Sequence, residues 1–286
     1  MQRLPIVLAL VCLGAAACAD DSGTNNDGKL SVAVAFYPIE EIVRRVGGPD
    51  MNITTLVPPG SEAHEFEPTP RQVAGLENAD VVFYLGSDFQ PSLEKAIDAL
   101  PDSVRRVDLL QGLTLHTIDD GVDPHVWLDP RNMQSMAQTV AEVLGASANA
   151  TVYVDELGTL HDELATGLSD CDVPVLITTH EAFGYFAEAF GLTEVAIAGV
   201  SPGDEPSAKS LEAIAELAAN YDVTTVFFEE NLPAELAATV ADEIGAATSS
   251  LGTAESPTKS QLDAGESYQS IMRENLQALR AGMGCA

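Results

Sequence analysis

The chain has 286 residues, of which 46% are hydrophobic, so it is long enough for two domains with their own cores. Its 44 Asp and Glu residues exceed its 13 Lys and Arg residues, giving a formal net charge of −31. This balance excludes the basic patches that nucleic acids and anionic membrane surfaces require, whereas an acidic surface attracts cations.

The N-terminus has the pattern of an export signal. Arg3 precedes an apolar run that is too short to span a membrane, so residues 1–17 are predicted to be a signal peptide. Cys18 follows three Ala residues, as at a bacterial lipoprotein processing site. We expect lipidation of Cys18 to anchor the protein to the outer side of the cytoplasmic membrane. Cleavage by an ordinary signal peptidase, which would leave the protein periplasmic, stays open because the usual Leu three positions before the Cys is absent.

Residues 18–29 are rich in Asp, Asn, Ser and Gly, which predicts a flexible tether. Once the signal is removed and Cys18 carries lipid, two cysteines remain in an oxidising compartment. We therefore predict a disulfide between Cys171 and Cys285. Metal ligation by these thiols is disfavoured because no Cys-x-x-Cys spacing is present.

The first half of the mature chain alternates between two patterns. Apolar, β-branched runs predict strands, and Pro or Thr before an amphipathic stretch predicts the start of a helix. The predicted elements are strand 30–36, helix 38–46, strand 52–57, helix 70–78, strand 81–85, helix 91–100 and strand 104–109. Residues 112–122, which carry His116, are polar and rich in Asp.

Two helical stretches, 131–144 and 148–168, separate this block from a second alternating one. The predicted elements of the second block are strand 173–178, helix 181–190, strand 194–197, helix 207–219, strand 223–228, helix 233–244, strand 247–251 and helix 265–281.

Alternation of this kind predicts an α/β fold with two lobes, each a parallel four-stranded sheet flanked by helices. We expect an N-terminal lobe over residues 30–130, connecting helices over 131–169 that include one long helix, and a C-terminal lobe over 170–286.

Three of the five histidines occupy equivalent places in this scheme. His64 follows the second strand, His125 follows the fourth strand, and His180 follows the first strand of the second lobe. Ligands of open α/β sheets bind beyond the carboxyl ends of the strands. The sequence therefore predicts one metal site in the cleft between the lobes.

The segments around these histidines carry a family resemblance. Residues 59–70 read Pro-Gly-Ser-Glu-Ala-His-Glu-Phe-Glu-Pro-Thr-Pro, residues 123–130 read Asp-Pro-His-Val-Trp-Leu-Asp-Pro, and residues 179–186 read Thr-His-Glu-Ala-Phe-Gly-Tyr-Phe. With Glu-Pro-Ser at 205–207 and the closing Tyr…Met-x-x-Asn-Leu pattern at 268–276, the chain resembles the zinc- and manganese-type (cluster A-I) substrate-binding lipoproteins of bacterial metal ABC importers.

The resemblance implies a monomeric binding protein, not an enzyme, that captures Zn²⁺ and delivers it to an ABC importer permease in the membrane. It implies that His64, His125 and His180 are the metal ligands. Neutral imidazole suits zinc, whereas manganese prefers harder carboxylates, so three His favour Zn²⁺ over Mn²⁺. Many relatives place an Asp after the last strand as fourth ligand. In this chain, either Glu255 or water takes that place.

Three other hypotheses stay open. A Mn²⁺ or Fe²⁺ binding protein and a surface adhesin could use the same fold. A zinc hydrolase would also need three ligands and an open position, but the sequence has no His-Glu-x-x-His motif or other general-base motif.

The remaining candidate residues are assigned lesser roles. His116 with its neighbouring Asp residues is at best a vestige of the His-rich, metal-gathering loop of zinc-type members. His161 is predicted to lie on a solvated helix face. Glu229 and Glu230 end a strand at the cleft edge, where a structural role or support of a ligand is expected. Surface or supporting roles are expected for the carboxylates that flank His64, namely Glu62, Glu65 and Glu67.

Overall fold

Two parallel sheets form the framework of the protein, whose computed structural model describes residues 28–118, 121–230 and 234–286. The first sheet has the strand order β2-β1-β3-β4. Its strands are β1 (Leu30–Val34), β2 (Met51–Thr55), β3 (Val81–Tyr84) and β4 (Arg105–Asp108). Its helices are α1 (Tyr37–Gly47), α2 (Pro70–Leu76) and α3 (Pro91–Asp98).

The second sheet repeats this arrangement with the order β10-β9-β7-β8. Its strands are β7 (Val175–Thr178), β8 (Thr193–Ala196), β9 (Thr225–Glu229) and β10 (Ala247–Leu251). Its helices are α6 (Gly184–Phe190), α7 (Ala208–Tyr221), α8 (Glu235–Ile244), α9 (Lys259–Asp263) and α10 (Tyr268–Met283). The predicted α/β class with two parallel four-stranded sheets is thus confirmed.

Two helices connect the sheets, α4 (Pro130–Leu144) and α5 (Ser147–Gly167). Asp129 caps the start of α4 by accepting the N–H of Arg131, and Pro130 occupies the first helical position, where its missing N–H costs nothing. Gly145 ends α4 in the left-handed conformation that glycine adopts without strain. The 21-residue helix α5 packs against α1, α4 and α10 and thereby links both halves.

One hydrophobic core runs through the first sheet, the connecting helices and one face of the second sheet. Trp127, Tyr153 and Tyr268 are its largest fully buried members. A smaller core fills the other face of the second sheet, beneath α7 and α8. Because the larger core is continuous, the edges of the two sheets are held facing one another.

The predicted disulfide between Cys171 and Cys285 is present in the structure. It joins the segment before β7 to the segment after α10, and the same two residues form an isolated antiparallel bridge. The C-terminal end of the chain is thereby fastened at the end of β7 opposite to His180.

Some element boundaries differ from the sequence predictions. The helix predicted from residue 181 begins at Gly184, because residues 179–181 continue alongside residues 198 and 199 through backbone hydrogen bonds. The closing helix begins at Tyr268 instead of residue 265, because Ser267 caps it with a capping box. Helix α9 and the antiparallel pair of short strands β5 (Thr117–Ile118) and β6 (Gly121–Val122) were not predicted.

The predicted signal peptide, Cys18 and most of the tether lie outside the described residues. Within the described part of the chain, no helix combines the length and apolar character that crossing a membrane requires.

Candidate metal centre

His64 lies in the loop that follows β2. Gly60 turns this loop with a φ of 76°, which a side chain would strain. The Oε1 atom of Glu62 accepts the backbone N–H of His64 at 2.7 Å, and buried Gln90 donates its amide N–H to the carbonyl of Ala63 at 2.8 Å. The loop is therefore fixed on both sides of the histidine.

His125 is fully buried and begins a short 3-10 turn. The Oδ1 atom of Asp123 accepts its backbone N–H at 3.0 Å and lies 2.8 Å from its ring Nδ1. The ring of Trp127 packs beside the imidazole, with 5.2 Å between the ring centroids. One carboxylate and one aromatic ring thus set the orientation of the imidazole.

His180 follows β7, and a buried network holds its loop. The Oε1 atom of Glu194 accepts the hydroxyl of Thr178 at 2.8 Å and the N–H of Phe183 at 3.0 Å. The Oε2 atom of Glu229, at the end of β9, lies 3.3 Å from Nδ1 of His180. A carboxylate beside Nδ1 leaves Nε2 as the atom available to a metal.

Glu255 lies in the loop after β10 and is 4% exposed. Ala254, which precedes it, has a φ of 52°, a strained value for a residue with a Cβ. The loop is held in place because Trp127 donates its indole N–H to the carbonyl of Thr253 at 2.7 Å. The Oε1 atom of Glu255 accepts the N–H of Ala63 at 3.3 Å, so this carboxylate reaches across to the loop that carries His64.

The three predicted histidines converge. His64, His125 and His180 each offer a nitrogen, and these atoms all lie within 4.8 Å of one another. The Nε2 atoms of His64 and His125 are 3.2 Å apart, and Oε2 of Glu255 lies 3.6 Å from Nε2 of His64. Nε2 of His180 and Oε2 of Glu255 have no hydrogen-bond partner among the described residues. Buried polar atoms without partners indicate a site built for a further group.

The site combines neutral and charged donors. Burial, together with the neighbouring His125 and His64, lowers the pKa of His180 to about 3, so this imidazole is neutral. Burial also lowers the pKa of His64, but Glu255 raises it further, so the net shift is upward. Burial would raise the pKa of Glu255, but the histidines lower it, so this carboxylate stays ionised.

Glu229 differs from Glu255 in this respect. Burial and the charge of Glu255 raise the pKa of Glu229 to about 8. Glu229 therefore carries less negative charge than Glu255 where it approaches Nδ1 of His180 at 3.3 Å. The supporting role expected from its place at the strand end stays a prediction.

The other candidates lie apart from this centre. The prediction for His161 was wrong: the residue is buried, and its ring packs 5.1 Å from that of Phe190. A polar sequence neighbourhood did not reveal that α6 covers this face of α5. His116 stacks on Tyr185 at 3.9 Å and contacts Glu188. The remaining flanking carboxylates, Glu65 and Glu67, are exposed.

A cavity of about 640 Å³ opens between the two sheets on one side of His64. It is lined by Asp88 and Phe89 from the first half of the chain and by Glu181 and Asp204 from the second. His64 therefore joins the centre to an acidic cleft, and such a cleft concentrates cations.

Two parallel α/β halves with a buried His and Glu centre between their facing edges define a two-lobed solute-binding protein with donors suited to a transition metal. Residues 32–282 match the family described as the periplasmic component A of the zinc-uptake complex, ZnuA, and the chain belongs to this family.

Individual relatives agree with this assignment. The chain is 32% identical over 306 residues to the zinc-binding lipoprotein AdcA of Streptococcus pneumoniae, covering 98% of this chain and 61% of the relative. It is 32% identical to the high-affinity zinc uptake system protein ZnuA of Bacillus subtilis, covering 96% of this chain and 95% of the relative. The chain thus spans less than two thirds of AdcA but nearly all of the Bacillus protein.

A solved structure shares the fold. The Zn(II)-bound ZnuA-like domain of Streptococcus pneumoniae AdcA superposes with a TM-score of 0.78 at 33% identity, covering 90% of this chain and 99% of that domain.

Proposed function

We propose that this protein captures Zn²⁺ outside the cytoplasmic membrane and delivers it to the permease of an ABC importer. The ligands in this proposal are His64, His125, His180 and Glu255. The observation that carries it is the convergence of three imidazole nitrogens within 4.8 Å of one another, beside a buried carboxylate.

The chemistry of the donors favours zinc over manganese. Three nitrogens and one carboxylate oxygen match the tetrahedral environment that Zn²⁺ accepts, whereas Mn²⁺ favours a larger number of hard oxygen ligands. Glu255 would also neutralise half of the ion's charge in a buried place. Mn²⁺ or Fe²⁺ as the physiological ligand are the alternatives that a competition titration tests.

The same donors favour binding over catalysis. A catalytic zinc keeps one coordination position open for water, whereas a site with four protein ligands is closed. In this proposal Glu255 takes the position that such a water would occupy, while Glu229 and Asp123 lie beside ring nitrogens of His180 and His125. The protein is therefore proposed to be a carrier and not a hydrolase.

Delivery follows from the family and from the predicted export signal. A lipidated Cys18 would anchor the carrier near its permease, and the tether of residues 18–29 would let it reach the permease. We propose that the carrier acts as a monomer, because all four donors come from one chain.

Metal binding can be tested on protein first stripped with a chelator. Titration with Zn²⁺, followed by metal analysis after gel filtration, should give about one zinc per chain, since the donors converge on one point. Mn²⁺ in excess should not displace it. His125→Ala should abolish tight binding, whereas His116→Ala, which alters a histidine outside the centre, should not. Stoichiometric zinc in a variant lacking all three ligand histidines would refute the proposal.

A further inference from the structure

A second set of potential metal donors overlaps the first. One ligand atom each from Glu62, His64 and Glu255 lie within 4.8 Å of one another. We call this the outer donor set and call His64, His125, His180 and Glu255 the inner donor set. The two sets share His64 and Glu255, so they cannot be filled independently.

The exposed fraction of the donor side chains increases from the inner donor set to the outer donor set. His125 and His180 are 0% and 2% exposed, and Glu255 is 4% exposed. The side chain of His64 is 9% exposed, and Glu62 is exposed to solvent. The outer donor set therefore lies between the solvent and the inner donor set, with which it shares His64 and Glu255. The Oε2 atom of Glu255, which has no hydrogen-bond partner among the described residues, belongs to both sets.

On the basis of the zinc-binding function proposed above, we propose that the outer donor set is a transient site for an incoming divalent cation. The ion first binds Glu62, His64 and Glu255 and gives up part of its water shell. It then exchanges Glu62 and its remaining water for His125 and His180 while His64 and Glu255 remain bound. Ligands are exchanged one at a time, so the ion is never left with vacant coordination positions in a buried place.

The cleft that reaches His64 is the competing route. Asp88, Glu181 and Asp204 line it. Among the described residues, however, these carboxylates do not form a set of three donors within 4.8 Å of one another or of His64. The cleft can attract a hydrated cation, but only the outer donor set offers stepwise exchange of ligands.

Glu62 can be altered without disturbing the loop. Its Oε1 accepts the N–H of His64 at 2.7 Å, and the amide oxygen of Gln can accept the same bond. Glu62→Gln therefore removes the negative charge and weakens a metal ligand but keeps the turn. Glu65→Gln is the matched control, because Glu65 is an exposed carboxylate in the same loop outside both sets.

The experiment measures association and dissociation of Zn²⁺ by stopped flow. The single Trp, whose ring lies 5.2 Å from that of His125, reports association, and a chelating dye reports release. We expect Glu62→Gln to slow association about tenfold, the low end of what a charged site adds to cation capture. Release should slow by the same factor, so that Kd stays unchanged.

Salt separates this effect from general attraction by an acidic surface. Glu65→Gln can change the association rate only through the charge that it removes. At about 1 M salt the screening length is about 3 Å, so any such change should vanish, whereas the slower association of Glu62→Gln should persist. Faster release with a weaker Kd in Glu62→Gln would make Glu62 a resting ligand and overturn the proposal. Unchanged rates in Glu62→Gln, or slower uptake in Asp88→Asn instead, would show that the ion enters through the cleft. Failure of the wild-type protein to bind zinc at equilibrium would instead refute the proposed function.

Discussion

Asp123 contacts His125 at two points through a single oxygen. Its Oδ1 accepts the backbone N–H of His125 at 3.0 Å and lies 2.8 Å from the ring Nδ1. Both side chains are buried. Because the carboxylate accepts a hydrogen bond from the Nδ1–H group, Nε2 presents its lone pair to the centre, where Nε2 of His64 lies 3.2 Å away.

Asp123→Asn should therefore weaken zinc binding about 10- to 100-fold, the usual cost of losing the carboxylate partner of a ligating histidine. The amide keeps the size of the side chain, so the fold should persist. Asp155→Asn, which removes an exposed carboxylate on α5, is the control and should bind like the wild type. A competition titration against a chelator of known affinity measures both. Equal affinities would mean that Asp123 serves only the turn.

Glu255→Gln tests the fourth ligand. If the carboxylate binds the ion, its replacement should weaken zinc binding about tenfold or more, since a charged ligand is lost from a closed site. Glu230→Gln is the matched control, because it changes a neighbouring carboxylate that belongs to neither donor set. An unchanged affinity in Glu255→Gln would assign the fourth position to water.

Zinc affinity should depend on pH through His64. Its pKa in the metal-free protein is raised above the ordinary value, with Glu255 opposing the effect of burial. Protons therefore begin to compete with zinc at a pH above the ordinary pKa of about 6.5. Below the raised pKa, zinc affinity should fall about tenfold per pH unit. His180, with its pKa of about 3, is neutral throughout and adds nothing in this range. Titrations between about pH 8 and pH 5 measure the slope, and a flat profile would contradict ligation by His64.

The disulfide should stabilise the fold without contributing to zinc affinity. Cys171 and Cys285 are 114 positions apart in sequence, so their link restricts a long loop of the unfolded chain. Replacing both by Ser should lower the free energy of unfolding by about 2–5 kcal/mol. Because the bridge lies at the end of β7 opposite to His180, zinc affinity at room temperature should not change. Thermal melts without reductant and a zinc titration test the two parts separately.

Much of this architecture was predictable because local patterns and tertiary structure agree. His64 and His125 follow strands of the first sheet and His180 follows a strand of the second, and the carboxyl ends of parallel strands meet at one edge of a sheet, so sequence order places each histidine at the ligand-binding edge of its sheet. Periodicity also separated α4 from α5, since Gly145 interrupts the helical pattern.

What sequence reasoning missed depends on contacts between distant segments. His161 has acidic neighbours in sequence, yet α6 covers it, and no local pattern reports that packing. The pairing of Glu229 with His180 arises because β9 and β7 are adjacent in the sheet, although the two residues are far apart in sequence. The reach of Glu255 to the loop of His64 spans 192 positions and depends on how the two halves face each other.

Trp127 links those halves, and its indole N–H should matter for zinc. The N–H donates to the carbonyl of Thr253 at 2.7 Å, two residues before Glu255. Trp127→Phe keeps an aromatic ring but leaves this buried carbonyl without its donor, which costs about 1–3 kcal/mol. Since the strained loop then loses its anchor, Glu255 should be less well placed, and zinc affinity should fall together with stability.

Tyr268→Phe provides the comparison. Tyr268 donates its hydroxyl to the carbonyl of Trp127 at 2.7 Å, so this variant also removes one buried hydrogen bond to the same residue. It leaves the bond to Thr253 intact. Denaturant unfolding should therefore show similar losses of stability in the two variants, while the zinc titration should show the larger loss of affinity in Trp127→Phe. Equal losses of affinity would mean that the indole N–H contributes only to stability, and that the loop holds Glu255 in place without it.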